Sequence, residues 1–347
     1  MGEPLSSATP GPRDLAALTS WNADWSGLRV GVLGLGLTGF AVADTLVELG
    51  AEVLVVAAEA SDENRQLVDV IGAGFERHDD ESTIPDAVAA FDPELLVVSP
   101  GYRPDHALVA WARERGIPVW GDIELAWRLR DKVRAAEWIL VTGAAGKTTV
   151  ADLTATMLLA GGLRAAPAGA NGIPVLDAIR DPQGFDALVV ELSPAQLHWL
   201  SDAPGSELVP LASVCLNVDG AISDAERAAT GKVYTGTRVA CVFNQADTAT
   251  RDMVEDADVQ EGCRAIGFSL GMPGPSDLGL VEDILVDRAF LEERRTSALE
   301  LATLGDLADA GLTEPWQVAD VLAAAALARA ADVAPGRIRG ALQAFGA

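Results

Sequence analysis

The sequence predicts an α/β fold of two consecutive domains, each built on a largely parallel sheet. Three observations carry this reading: apolar strand-like runs alternate with helical stretches from Leu28 onward, the alternation starts afresh at Trp138, and each start turns through a glycine run into a helix, at Gly34 and at Gly143.

The elements follow in order. Residues 1–27 carry Pro, Gly, Ser and Trp without a period and read as an arm or a loose first helix. Residues 28–33 form a buried-strand run, 40–49 a helix closed by Gly50, and 52–56 a second strand. A strand over 95–99 follows Asp92-Pro93, and a helix over 107–115 is closed by Gly116, so 28–130 form the first domain. The second domain, 131–347, opens with a strand over 138–142 that passes into a helix from Lys147. Further strands are expected at 187–191, 211–217, 238–243 and 264–268, then a hairpin over 280–290 turning at Val286-Asp287-Arg288. Helices over 318–331, stopped before Pro335, and over 337–345 complete it; no internal repeat or low-complexity tail is visible.

Composition narrows the partners. The 347 residues are 49% apolar, enough for a core in each domain, and 51 acidic against 25 basic residues leave a charge of −26. That charge repels phosphate backbones and anionic head groups, so neither nucleic acid nor a membrane surface is an expected partner. The three cysteines, Cys215, Cys241 and Cys263, are too few and too odd for a disulfide framework and read as small buried hydrophobes of a reducing compartment. The start, Met1-Gly2-Glu3-Pro4-Leu5-Ser6, lacks a secretory pattern and matches the N-acylation pattern only loosely. No apolar run approaches the ~20 residues of a membrane span, and 321–327 is bracketed by Asp320 and Arg329. A cytoplasmic monomer is expected.

Two loops carry the chemistry. Gly34-Leu35-Gly36-Leu37-Thr38-Gly39 lies between a strand and a helix, where glycines let a backbone approach a pyrophosphate. The acid that would hold a dinucleotide ribose is missing, because Ala57 and Ala58 precede Glu59. A nicotinamide cofactor is therefore disfavoured, leaving another phosphate ligand or a purely structural turn. The second loop, Thr142-Gly143-Ala144-Ala145-Gly146-Lys147-Thr148-Thr149, has Val141 where the full phosphate-loop pattern has its first glycine. It reads either as a nucleotide loop, with Lys147 on phosphates and Thr148 on magnesium, or as a remnant that keeps only the turn. Glu191 ends an apolar strand and is placed either to bind magnesium or to face solvent. His198 beside Trp199 reads as packed, and His78 and His106 give no cluster with it; no paired cysteines or metal-spaced histidines are evident.

These motifs, with Ser99-Pro100-Gly101, Pro118-Val119-Trp120-Gly121-Asp122-Ile123-Glu124-Leu125-Ala126 and Glu191-Leu192-Ser193, resemble the Mur ligases of peptidoglycan precursor synthesis, most nearly the actinobacterial type that adds D-glutamate. The resemblance spans 28–345. It implies a Rossmann-like UDP-sugar domain followed by a P-loop-type Mur ligase central domain, with ATP and Mg2+ as cofactors, an acyl phosphate attacked by an amine, and a third domain that this chain lacks. By carry-over, Gly36, Leu37, Thr38, Ser99 and Gly101 would contact the UDP-sugar. Gly143, Gly146, Lys147, Thr148 and Thr149 would hold ATP, Thr148 and Glu191 the metal, and Lys147 and Glu191 would be catalytic.

The departures from the family cluster at the chemistry. Ala144 and Ala145 replace oxygen-bearing loop residues, Pro194 and Ala195 interrupt the segment after Glu191, and Asn171 sits one place off the expected asparagine. Asn217-Val218-Asp219-Gly220-Ala221-Ile222 lacks the family's Asp-His-Leu-Asp segment, Thr230 falls where the family has a carbamylated lysine, and Trp316-Gln317-Val318-Ala319-Asp320 stands where the adenine contacts fall. The expectation is a ligation-incompetent relative with residual UDP-sugar binding. The alternatives are an active or partly active ligase needing its third domain, and a scaffold that binds no nucleotide.

Overall fold

Two sheets organise residues 13–345, which the computed structural model describes apart from 201–206, 219 and 221. The acylation pattern at 1–6, Asp219, Ala221 and the last two residues lie outside the described residues.

The first sheet is built from β1 (Arg29–Leu33), α1 (Leu37–Glu48), β2 (Glu52–Ala57), α2 (Asp62–Ile71), β3 (Gly74–Arg77), α3 (Asp86–Phe91), β4 (Leu95–Val98), α4 (Ala107–Glu114), β5 (Val119–Gly121) and α5 (Asp122–Leu129). All its pairs are parallel, in the order β3-β2-β1-β4-β5. This is the Rossmann-like order: strand addition reverses between β1 and β4, and a crevice opens at their carboxyl ends. The strands read as apolar runs because helices cover both faces. Helix α1 begins at Leu37 rather than at Phe40, because its first turn faces solvent, Leu37 being 79% exposed, and so carries no apolar period. The described part of the arm is packed rather than loose. Leu15, Leu18 and Trp25 are buried, and Asp131 accepts hydrogen bonds from the Ser20 hydroxyl at 2.5 Å and the Trp21 N–H at 2.7 Å.

The second sheet starts with β6 (Glu137–Thr142), α6 (Lys147–Ala160), β7 (Ala165–Gly169), α7 (Val175–Ala178), β8 (Ala187–Glu191), α8 (Pro194–His198), β9 (Ala212–Cys215), α9 (Asp224–Gly231), β10 (Ala240–Asn244), α10 (Thr248–Glu255) and β11 (Arg264–Phe268). It continues through β12 (Asp277–Val281), β13 (Ile284–Asp287), β14 (Leu299–Thr303), α11 (Leu304–Asp309), α12 (Pro315–Ala330) and α13 (Pro335–Phe345). The order is β14-β13-β12-β11-β10-β9-β6-β8-β7, and all strands run parallel except β13, which is antiparallel to both β12 and β14. The hairpin turns at Glu282-Asp283, not at Val286-Asp287-Arg288: Val281 pairs with Ile284, and Glu282 takes φ +57°. Asp287 lies in β13 rather than in a turn, fully buried and held at 2.9 Å by Arg329. The alanine-rich middle of α12 is buried because small side chains let it lie close against α6.

The two sheets are joined by polar and apolar contacts. Arg180, just after α7, pairs with Asp44 at 2.6 Å and Glu48 at 2.9 Å on α1, and Lys132 also reaches Glu48. Gln196 of α8 donates to buried Asp122 at 2.8 Å, and Trp127 meets Trp138 edge-on at 5.1 Å. One cysteine departs from the expected burial. Cys215 and Cys241 are buried, but Cys263 is half-buried and its thiol lies 3.7 Å from that of Cys241, so strand pairing brings together two cysteines that sequence separation hid. Among the described residues no helix is long and apolar enough to cross a membrane.

Candidate functional site

At the carboxyl end of β1, Gly34 adopts φ +101°, and a Cβ there would lie 2.7 Å from the Ser99 hydroxyl oxygen. A Cβ on Gly39 would lie 2.1 Å from the Gly34 carbonyl oxygen, so α1 crosses the turn at backbone contact. These glycines are demanded by packing, whereas Gly36 and Gly101 have open space at their Cβ positions. Both line a cavity of about 650 Å³, with Ala57, Ala58, Glu59, His78, Glu81, Tyr102, Arg103 and His106 among its other walls. Ser99 is not part of the lining; its hydroxyl is buried behind Gly34 without a hydrogen-bond partner. Leu37 and Thr38 stand beside the cavity on the first turn of α1, exposed and half-buried.

The sequence reading missed His78, Tyr102, Arg103 and His106. The available signal was that Tyr102 and Arg103 directly follow Gly101. His106 caps α4 by accepting the Leu108 N–H at 3.2 Å, and burial holds its pKa below the ordinary histidine value. His198 is exposed rather than packed, because the one-turn helix α8 turns its neighbour Trp199 inward instead, against Gly121.

The second loop joins β6 to α6. Gly143 takes φ +148°, where a Cβ would press on Leu216 and Asn217 at 3.0–3.3 Å, and Gly146 caps α6 in the left-handed region at φ +85°. Lys147 folds back over the loop and donates to the Gly143 carbonyl at 2.9 Å. Asn217 straps the loop from above. Its carbonyl and side-chain oxygens accept the Ala144 and Ala145 N–H groups at 3.1 and 2.9 Å, engaging two donors that a phosphate would use. Below, the Thr148 hydroxyl donates to Glu191 at 2.9 Å, and the Asn171 amide donates to Glu191 at 2.7 Å and to Thr148 at 3.2 Å. Thr148, Glu191 and Asn171 are thus three hard-oxygen residues within hydrogen-bond reach of one another, a set suited to magnesium shared with phosphate and water. Among the described residues no group of three or more His, Cys, Asp or Glu side chains could hold a metal unaided. Thr149 is half-buried, and among the described residues no bond joins it to this group.

A residue from far along the chain faces the loop. Asp320 of α12 is 6% exposed, one of its carboxylate oxygens has no hydrogen-bond partner, and a Cβ on Gly146 would lie 2.7 Å from the other. Burial raises its pKa to about 7. Trp316, one helical turn earlier and therefore on the same side of α12, is 57% exposed, while Gln317 accepts the Glu314 N–H at the start of the helix. Thr230 lies in the last turn of α9, and among the described residues nothing bonds it to the Thr148–Glu191–Asn171 group.

No family model matches the chain. A Rossmann-like sheet followed by a phosphate-loop sheet is nonetheless the fold of solved peptidoglycan ligases. The chain resembles the UDP-N-acetylmuramate:L-alanyl-gamma-D-glutamyl-meso-diaminopimelate ligase from Neisseria meningitides with a TM-score of 0.58 and 16% identity, over 92% of this chain and 98% of that one. It resembles the UDP-N-acetylmuramate-alanine ligase from Thermotoga maritima with a TM-score of 0.50 and 20% identity, over 91% and 68%. The likeness to both is one of fold. Sequence relatives are named UDP-N-acetylmuramoylalanine–D-glutamate ligase: that of Leifsonia xyli subsp. xyli is 59% identical over 95% of this chain, and that of Streptomyces avermitilis 46% over 93%. The chain belongs to the Mur ligase family, alongside these D-glutamate ligases. It spans 66% and 68% of their respective lengths.

Proposed function

We propose that residues 28–130 hold UDP-N-acetylmuramoyl-L-alanine and residues 131–347 offer the ATP-facing half of a D-glutamate ligase in which MgATP binds weakly. The observation that carries this reading is the buried carboxyl of Asp320 against Gly146, the residue that caps the phosphate-loop helix. A negative charge there opposes the polyphosphate that the amino end of α6 would otherwise attract. The first cavity is supported by the open backbone at Gly36 and Gly101, with Arg103 in its wall and Leu37 and Thr38 following Gly36 in sequence.

MgATP, when bound, supplies the phosphoryl group that activates a carboxylate toward an amine. Lys147 would exchange the Gly143 carbonyl for phosphate oxygens, and Thr148, Glu191 and Asn171 would hold the magnesium. That oxygen cluster favours a second reading, a working D-glutamate ligase. The two part in a phosphate-release assay with UDP-N-acetylmuramoyl-L-alanine, D-glutamate and MgATP. The expected result for residues 1–347 is no release above a Lys147→Ala control. Release that exceeds the control and requires both substrates establishes the second reading.

A further inference from the structure

Net charge makes basic clusters conspicuous in this chain, since 25 basic residues face 51 acidic ones. One such cluster lies away from the phosphate loop. Arg264 opens β11 at the amino ends of the parallel strands, whereas the loop follows the carboxyl end of β6. Arg329 lies nine residues beyond Asp320 on α12, roughly 14 Å along the axis at 1.5 Å per residue. Arg264, Arg294, Arg295 and Arg329 converge on a hollow of about 620 Å³ around Phe290.

The hollow is held in shape by its neighbours. Arg288 donates to the carbonyls of Arg294 and Arg295 at 3.1 and 3.0 Å, which fixes the loop that carries them. Each nitrogen of Arg329 is engaged, by Asp287 at 2.9 Å and by the Phe290 and Val333 carbonyls. Arg264 lies over the Phe290 ring at 4.9 Å and donates to the Ala289 carbonyl at 2.8 Å, which leaves further guanidinium donors. Among the described residues no ion pair is made by Arg264, Arg294 or Arg295, although Glu292 and Asp332 stand on the rim. Burial, and after it the like charge of Arg294, lowers the Arg264 pKa, with the Asp287 carboxylate acting in the opposite direction.

Among the described residues Arg264, Arg294 and Arg295 share the hollow without a direct ion pair, and the fork geometry of arginine suits a phosphate group. We propose that this hollow is an anion site for a small phosphate-bearing solute, separate from both the phosphate loop and the first-domain cavity. A hollow that presents three arginines without ion pairs fits a compact phosphate anion better than an extended acidic peptide.

Phenylglyoxal modification of individual arginines, read by peptide mass spectrometry with and without inorganic pyrophosphate, tests this at constant ionic strength. The expected result is modification of Arg264, Arg294 and Arg295 slowed at least about fivefold by millimolar pyrophosphate. The protection should persist in Lys147→Ala and weaken at Arg264 in the exposed-site variant Arg295→Gln. Equal modification with pyrophosphate and with chloride overturns the proposal, as does protection lost in Lys147→Ala. A glutamate-rich peptide that protects at lower concentration than pyrophosphate assigns the hollow to a protein partner and overturns the small-solute reading.

Discussion

Asp320→Asn is expected to tighten MgATP binding at pH 8 by at least about tenfold. The carboxyl of Asp320 is buried against Gly146, its raised pKa of about 7 follows from burial, and asparagine keeps the shape while removing the charge. Two unit charges about 8 Å apart at an effective dielectric near 20 repel by about 2 kcal/mol, and 1.4 kcal/mol is already a factor of ten in affinity. The sign with pH follows from the raised pKa. Below about 7 the carboxyl carries its proton and the repulsion is absent; above it the charge forms and nucleotide affinity falls. Wild-type affinity should therefore drop between pH 6 and pH 8 relative to Asp320→Asn, with titration of the nucleotide itself common to both. Calorimetric titration of the two proteins at the two pH values reads the ratio, and equal affinities at pH 8 contradict the prediction.

Gln196→Leu is expected to destabilise the chain by about 2–3 kcal/mol at pH 7.5 and by less than half of that at pH 5. Gln196 donates the 2.8 Å bond to Asp122, whose carboxyl is fully buried and whose pKa burial raises to about 6. Leaving a buried charged group without its donor costs about 1–3 kcal/mol, and the capping bonds from Ser193 to Gln196 are lost as well. The Asp122 pKa lies above its ordinary 3.8 in the folded chain, so its charged form opposes folding. Stability is fully present below about 4 and falls as pH rises through about 6. Removing the donor raises that folded pKa further, so the variant loses most above pH 6 and regains stability as Asp122 takes up its proton. Urea unfolding of both proteins at the two pH values measures the difference, and a loss independent of pH would show that Gln196 acts only through the helix cap.

Much of the strand framework was legible because parallel strands covered on both faces are continuous apolar runs. The bounds of β8 and β11 fall where the sequence placed them. The edge strands were not. β7 reads Ala-Ala-Pro-Ala-Gly, tolerates Pro167 only because it closes the sheet, and offers no bulky residue to betray it. β3 is half-exposed and shows no buried alternation. Helix α2 was invisible for another reason: only Val68 is buried, and the helix is defined by its Ser61 cap and the left-handed Gly72 at its end. At the candidate site, local order exposed the phosphate loop and Glu191, while Asn171, Asn217 and Asp320 arrive from other strands and a distant helix. Nothing in their own neighbourhoods in sequence foretells the strap on Ala145 or the carboxyl beneath Gly146.

The first-domain cavity is expected to be a better ligand site than the phosphate loop. Calorimetric titration of one preparation at pH 7.5 with UDP-N-acetylmuramoyl-L-alanine and with MgATP tests it directly. The UDP-sugar should bind at least about tenfold more tightly, a difference of about 1.4 kcal/mol. MgATP binding as tightly as the UDP-sugar, or more so, would contradict this order.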